Sequence, residues 1–245
     1  MQNTGKARYL ASKNNWQLSK SRHFRCHHSG NSMMRLRRNP TMLKKLIALF
    51  SMAFIAFSAH AERFKAGEDY QVLEMATPLY SDNSPSVTEF FSFYCPHCFR
   101  NQALMEALEP KLPENTRVIK QHVSFMGGKM GPELSKALAA AELLKVDDTM
   151  IPVIFERIHS LRKPPRSAEE VRQMFLDNGV DAKKFDGVIN SFAVNSMVAR
   201  FDKAFEATGL TGVPAVIVNG KYYLTPKTIK SLDEYIELVD FLLKK

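Results

Sequence analysis

The chain contains few cysteines, only three in 245 residues. Cys26 stands alone near the N-terminus, and Cys95 and Cys98 lie two residues apart. Structural zinc sites take about four ligands, and disulfide-dependent scaffolds carry many cysteines, so neither class is favoured. A disulfide between Cys95 and Cys98 would close too small a loop to constrain the unfolded chain much. The pair therefore indicates chemistry rather than stabilisation.

Acidic residues are absent from the first 61 positions, which hold eleven of the 34 lysines and arginines. The rest of the chain carries 23 basic and 25 acidic residues, a net charge of −2. The formal charge of +9 thus belongs to the leading segment. We expect no nucleic-acid partner.

Long apolar runs are also lacking. The apolar run Leu46–Phe57 is shorter than the ~20 residues that a membrane-spanning helix needs. Two lysines precede it, and Ala59-His60-Ala61 follows as a small-x-small cleavage site. This order predicts a cleavable secretory signal peptide over residues 42–61, with a membrane anchor as the less favoured alternative. The mature chain would begin at Glu62.

Residues 1–41 form an upstream basic segment that fits neither a signal peptide nor a packed domain. Our hypothesis is that this segment is untranslated or unstructured. Translation would then start at Met42 rather than at Met1.

The tetrapeptide Cys95-Pro96-His97-Cys98 lies between a β-prone run, Ser86–Phe93, and a stretch of helical spacing that Pro110 ends. A sulfur at the start of a helix meets unpaired N–H groups and the positive end of the helix dipole, which stabilise a thiolate. Cys95 occupies that place and can remain accessible, whereas Cys98 lies one turn further and is expected to be shielded. The motif predicts a redox-active dithiol with Cys95 as the attacked sulfur.

Periodicity divides the mature chain into three parts. A second strand, Arg117–Phe125, completes a β-α-β unit, so residues 62–126 form a first part. Helical signals dominate residues 127–200, which we interpret as an insertion. Residues 201–245 return to the sheet through a hairpin at Asn219-Gly220 and end in a helix. Apolar side chains of the insertion could line a peptide groove, but their helical spacing favours a core role: Met150, Phe155, Met174 and Phe175.

Together these features closely resemble periplasmic DsbA-type thiol:disulfide interchange proteins of the thioredoxin superfamily. The resemblance covers Glu62–Lys245 and rests on an ordered set of motifs: Phe90-Phe91-Ser92-Phe93-Tyr94 before Cys95, Pro96 and His97 between the cysteines, His122 to Gly128, and Gly212-Val213-Pro214-Ala215. It implies an α/β thioredoxin fold with an inserted all-helical subdomain. It also implies a monomeric periplasmic disulfide oxidase without a cofactor beyond the Cys95–Cys98 disulfide.

The resemblance further implies partners. Clients would be reduced, unfolded, newly exported proteins, and a DsbB-type, quinone-linked inner-membrane protein would reoxidise the dithiol. Val213 would offer backbone hydrogen bonds to an extended client segment, and the bond before Pro214 would be cis.

Three further side chains are candidates for tuning the dithiol. His97 can donate hydrogen bonds or positive charge to the Cys95 thiolate, which would stabilise the reduced form and make the disulfide oxidising. Glu89 stands in an otherwise buried strand, where burial would raise its pKa towards the range useful for proton transfer to Cys98. Lys120, on the neighbouring strand, could pair with Glu89. Two solvent-facing charges are the alternative for Glu89 and Lys120.

Two other functions compete with the oxidase. A disulfide isomerase or reductase of the same superfamily is the nearer alternative, but such isomerases usually carry a dimerisation domain, and only Glu62–Tyr94 precedes the dithiol. A Cys-x-x-Cys metal-binding module is remote, because His97, His122 and His159 stand at no compelling ligand spacing.

Overall fold

The computed structural model describes residues 62–76, 78–80 and 84–245. The predicted signal peptide of residues 42–61 lies outside the described residues. The upstream segment of residues 1–41 lies outside them as well. Glu62, the predicted start of the mature chain, lies within them.

A five-stranded mixed sheet carries the site. Its strands are β1 (Tyr70–Val72), β2 (Ser86–Phe91), β3 (Arg117–His122), β4 (Ala215–Val218) and β5 (Tyr222–Leu224). They lie in the order β1-β5-β4-β2-β3. The β2–β3 pair is parallel, and the other neighbours are antiparallel. Every residue of β2 is buried, as expected for an apolar strand with partners on both sides.

The predicted hairpin is confirmed. Asn219 and Gly220, with φ angles of +52° and +60°, are the central residues of the turn between β4 and β5, which the Lys221 N–H closes by donating to the Val218 carbonyl oxygen. Two consecutive positive φ angles match the twist of the flanking strands, which is why Asn-Gly is favoured at such turns.

Seven α-helices lie in the described part of the chain: α1 (Pro96–Leu108), α2 (Met130–Leu144), α3 (Asp147–Phe155), α4 (Ala168–Asp177), α5 (Ala182–Ile189), α6 (Phe192–Ala207) and α7 (Leu232–Leu243). Five of them, α2 to α6, lie between β3 and β4 in the chain, which agrees with the expected helical insertion. The predicted division between residues 200 and 201 falls within α6 and stays a prediction. Within the described ranges, no helix has the length and apolar character needed to span a membrane.

Side-chain caps begin the predicted helices. Ser167 accepts a hydrogen bond from the Glu170 N–H at the start of α4, and Ser231 accepts one from the Glu234 N–H at the start of α7. Each serine thereby satisfies an N–H group that has no partner within its own helix.

The apolar residues of the insertion form its core. Met150, Phe155, Met174 and Phe175 are at most 3% exposed. They pack in one cluster with Phe93 and both cysteines of the motif. The alternative of a groove lined by these four side chains is therefore wrong, and the insertion instead packs directly against the dithiol.

His122, the last residue of β3, joins three elements. Its Nε2 accepts a hydrogen bond from the Phe93 N–H at 3.0 Å, and its Nδ1 lies 2.7 Å from Ser135 Oγ on α2. Because Nε2 accepts, Nδ1 carries the proton and the ring is neutral. His122 thus fixes the backbone two residues before Cys95 against both β3 and the insertion.

Burial lowers the pKa of His122 to about 3. A histidine of the unfolded chain takes up a proton near pH 6.5, whereas the folded ring stays neutral until about pH 3. Between these values the unfolded state binds the extra proton, so the contribution of His122 to stability falls as the pH falls.

Replacing His122 with Gln should reduce the loss of stability in acid. Between pH 6 and 4, the free energy of unfolding of the native chain should decline more steeply than that of His122→Gln, by up to about 1.4 kcal/mol per pH unit. Urea titrations at several pH values measure both slopes. Equal slopes would show that the ring does not stay neutral in the folded protein.

Candidate active site around Cys95 and Cys98

Cys95 is the N-cap of α1. Its backbone is extended (φ −88°, ψ 115°), and its Sγ accepts a hydrogen bond from the Cys98 N–H at 3.4 Å. Pro96 is the first helical residue, where a missing N–H costs nothing. Both cysteines are free thiols. The sulfur of Cys95 thus sits where the first N–H groups of the helix converge, as the sequence predicted.

Both cysteines are shielded from solvent. Cys98 is 1% exposed, as expected, but Cys95 is only 3% exposed. The expectation that Cys95 remains accessible is therefore wrong for this dithiol state. The reason is a neighbouring loop: the Cys95 thiol donates a hydrogen bond to the carbonyl oxygen of Val213 at 3.4 Å.

The loop that covers Cys95 ends in a cis peptide bond between Val213 and Pro214. The cis isomer agrees with the expectation from the family resemblance. A cavity of about 370 Å³ lies beside Pro214 and has a mainly apolar lining that includes Val216, Leu224, Pro226 and Ile229. The cis-proline loop thus lies between the reactive sulfur and an apolar depression.

His97 lies on the exposed first turn of α1 and contacts Arg100. The Arg100 Nη2 donates to His97 Nδ1 at 2.9 Å, because a guanidinium group can only donate. His97 Nδ1 is therefore the accepting nitrogen of this contact. Hydrogen bonding from His97 to the Cys95 thiolate stays a prediction.

Glu89 lies in the middle of β2 and is 6% exposed. Its Oε1 accepts a hydrogen bond from Asn101 Nδ2 at 2.9 Å. Burial raises the pKa of Glu89 to about 7, against the opposing effects of the Asn101 amide and the Lys120 charge. This carboxyl group can therefore both give and take a proton near neutral pH.

Lys120 is the register partner of Glu89 on β3. Its Nζ forms an ion pair with Glu109 Oε2 at 3.6 Å, and its side chain is 22% exposed. The alternative of two solvent-facing charges is wrong, since both side chains lie largely within the protein. Lys120 acts on Glu89 by its charge, while its close ion pair is with Glu109.

A second cavity, of about 430 Å³, borders Cys98. Its lining includes Cys98, Glu89 and Lys120. Burial, the Cys95 thiol and the Glu89 carboxyl together raise the pKa of Cys98 far above that of an ordinary thiol. A thiolate at Cys98 is thus costly and needs a nearby proton donor.

Sequence reasoning missed two residues of this site. Asn101 could have been found, because it follows Cys98 by one helical turn and so faces the same strand. His159 carried no such signal, since it reaches the site only through the fold of the insertion.

His159 contacts both flanks of the dithiol motif. Its Nε2 donates to the carbonyl oxygen of Phe93 at 2.8 Å, and its ring stacks on Phe99 with the centroids 5.0 Å apart. Phe93 precedes Cys95 by two residues, and Phe99 directly follows Cys98. The insertion therefore holds the motif at both ends through one side chain.

Replacing His159 with Phe should destabilise the protein by about 1 to 2 kcal/mol. Phenylalanine can keep the stack on Phe99, but the Phe93 carbonyl would lose its donor. Urea unfolding of the reduced protein measures the difference, with His159→Ala as the variant that also loses the stack. An unchanged free energy of unfolding in His159→Phe would show that the hydrogen bond contributes nothing.

Comparisons with known proteins agree with this geometry. The sequence matches the DSBA-like thioredoxin domain family over residues 86–237. It is 36% identical to the thiol:disulfide interchange protein DsbA of Escherichia coli over 212 residues, covering 83% of this chain and 100% of the relative. It is 38% identical to the DsbA of Pectobacterium carotovorum over 215 residues, with the same coverage.

The fold is similar to solved DsbA structures. One is Proteus mirabilis DsbA in complex with a non-covalently bound peptide, PWATCDS, with a TM-score of 0.68 and 34% identity over 74% of this chain and 99% of that chain. Another is the disulfide oxidoreductase DsbA from the same organism, with a TM-score of 0.66 and 35% identity over 74% and 98%. The predicted thioredoxin fold with a helical insertion is confirmed.

Proposed function

This chain belongs to the family of DsbA-like thioredoxin domains and is a thiol:disulfide oxidoreductase, and we propose that it oxidises client proteins through Cys95 and Cys98. The observation that carries this assignment is the position of the Cys95 sulfur. It caps α1, accepts a hydrogen bond from the Cys98 N–H, and lies 3.4 Å from the carbonyl oxygen of Val213. A sulfur in this place is a good leaving group, because the helix N-terminus stabilises its thiolate.

In the first step, a client thiolate attacks Cys95 Sγ of the oxidised protein. A bond forms between the client sulfur and Cys95 Sγ, while the Cys95–Cys98 bond breaks and its electron pair leaves on Cys98. The product is a mixed disulfide between the client and Cys95.

The released Cys98 thiolate then takes up a proton. Burial makes that thiolate unfavourable, and Glu89 has a pKa of about 7 and lines the same cavity. We assign Glu89 as the group that supplies this proton and that accepts it again when the dithiol is reoxidised. Lys120 tunes Glu89 through its charge.

In the second step, another client thiolate attacks the client sulfur of the mixed disulfide. Cys95 leaves as a thiolate and the client gains its disulfide. The two electrons lost by the client remain on the protein, with Cys95 as a thiolate and Cys98 as a thiol. The client segment would lie along Val213 and Pro214, where backbone groups read an extended chain without regard to sequence. The solved complex of Proteus mirabilis DsbA with the peptide PWATCDS supports a peptide client.

The remaining assignments concern the cell. We place the mature chain, from Glu62, in the periplasm as a monomer, after cleavage of the signal peptide over residues 42–61. A DsbB-type, quinone-linked membrane protein would accept the two electrons of the reduced dithiol. The secretory pattern of the leader and the DsbA relatives support these assignments.

Replacing Cys98 with Ala should trap the mixed disulfide, because no internal thiol remains to release the client from Cys95. Incubated with a disulfide-activated form of the peptide PWATCDS, Cys98→Ala should gain one peptide in mass, which dithiothreitol removes. Intact-mass and peptide-mapping spectrometry locate the adduct. Cys95→Ala is the matched variant, and an adduct that forms there at the same rate would contradict the assigned order of attack.

Replacing His97 with Ser should make the protein a weaker oxidant. If the imidazole stabilises the Cys95 thiolate, its loss disfavours the dithiol state. In a glutathione buffer, the equilibrium should shift towards the disulfide by about tenfold, which corresponds to about 30 mV. An unchanged equilibrium would remove His97 from the mechanism.

A further inference from the structure

Asn101 links the helix that carries the dithiol to the strand beneath it. It lies on α1 three residues after Cys98, and its Nδ2 donates to Glu89 Oε1 on β2 at 2.9 Å. Positions three apart on a helix share a face, so Asn101 and Cys98 both point towards β2. The carboxyl of Glu89 is therefore held by the same helix face that presents the buried cysteine.

We infer that Asn101 is a positioning residue, whose amide fixes the Glu89 carboxyl beneath Cys98 for proton exchange with that sulfur. This inference rests on the proposed function, in which Glu89 exchanges the proton of Cys98. It adds a residue that acts on Cys98 through its hydrogen bond to Glu89.

The hydrogen bond is well placed to control the charge of Glu89. A donor to a carboxylate favours the ionised form, whereas burial favours the neutral form. Burial raises the pKa of Glu89 to about 7, and of the two opposing groups the Asn101 amide has a larger effect than the Lys120 charge. Asn101 thus keeps the carboxyl close to the point where both forms are populated at neutral pH.

Other titratable groups face Glu89 from each neighbouring element. Electrostatic interaction couples it to Cys98 on α1, Lys120 on β3 and Tyr235 on α7. The cavity that Glu89 lines also contains three more carboxyl groups, those of Glu106, Glu109 and Asp148. These groups set the background charge. Among the described residues, it is the Asn101 amide that donates a hydrogen bond directly to the Glu89 carboxyl.

Replacing Asn101 with Leu removes the donor at nearly constant size. The protonation midpoint of Glu89, followed by the carboxyl band in infrared difference spectra, should move up by about one pH unit. At pH 7 the ionised fraction would then fall about fivefold. Reoxidation of the dithiol by oxidised glutathione should slow by the same factor, because Cys98 loses its proton acceptor.

Three variants make the test decisive. Glu89→Gln identifies the infrared band by removing it. Asn101→Asp keeps the shape of Asn101 but replaces the donor with a second carboxyl, so it should raise the midpoint further. Gln173→Leu removes a comparable hydrogen bond at an exposed site, from Gln173 Nε2 to Asp177 Oδ1 at 2.7 Å on α4. It should change neither the Glu89 midpoint nor the reoxidation rate.

The outcomes separate this inference from the proposed function. If the protonation midpoint of Glu89 and the pH profile of the reoxidation rate are unchanged in both Asn101 variants, the role of Asn101 is overturned, even if Glu89→Gln slows reoxidation. A shifted midpoint with normal rates in Glu89→Gln would instead overturn proton exchange by Glu89, and with it the positioning role. A shifted midpoint together with slowed reoxidation supports the inference.

Discussion

The site depends on the position of Cys95 as the N-cap of α1, where its Sγ accepts a hydrogen bond from the Cys98 N–H. This arrangement places one sulfur at the N-terminus of α1 and leaves the other one turn inside the helix. The first position stabilises a thiolate through the helix dipole and the unpaired N–H groups. The second removes the sulfur from water and raises its pKa. One helix start thus makes two identical side chains chemically different.

The surrounding fold holds this helix start in place. Two histidines fix Phe93, which lies between β2 and the dithiol motif. His122 accepts a hydrogen bond from the Phe93 N–H, and His159 donates one to the Phe93 carbonyl oxygen. The cis-proline loop contacts the Cys95 sulfur through the carbonyl oxygen of Val213. Because His159 belongs to the insertion, the insertion takes part in shaping the site as well as enlarging the domain. In the proposed mechanism, the buried carboxyl of Glu89 exchanges the proton of Cys98, the sulfur that water cannot easily reach.

Much of this could be predicted from the sequence, because the decisive signals are local. The helix start at Cys95, the Asn219-Gly220 hairpin and the serine caps each depend on neighbouring residues alone. Burial of Cys95 could not be predicted in this way, because the loop that covers it lies 118 residues further along the chain. The same holds for His159 and for the preference of Lys120 for Glu109, which arise only when distant elements pack together. The fold was therefore accessible to pattern and resemblance, whereas the contacts that tune the sulfurs required coordinates.

The reduction potential of the Cys95–Cys98 pair, measured in glutathione buffers on the chain from Glu62 to Lys245, tests the central claim most directly. If the helix start stabilises the Cys95 thiolate enough to favour the dithiol, the potential should be more positive than that of protein disulfide isomerase, which is about −180 mV. A value near the about −270 mV of thioredoxin would contradict the claim, because the same fold would then act as a reductant.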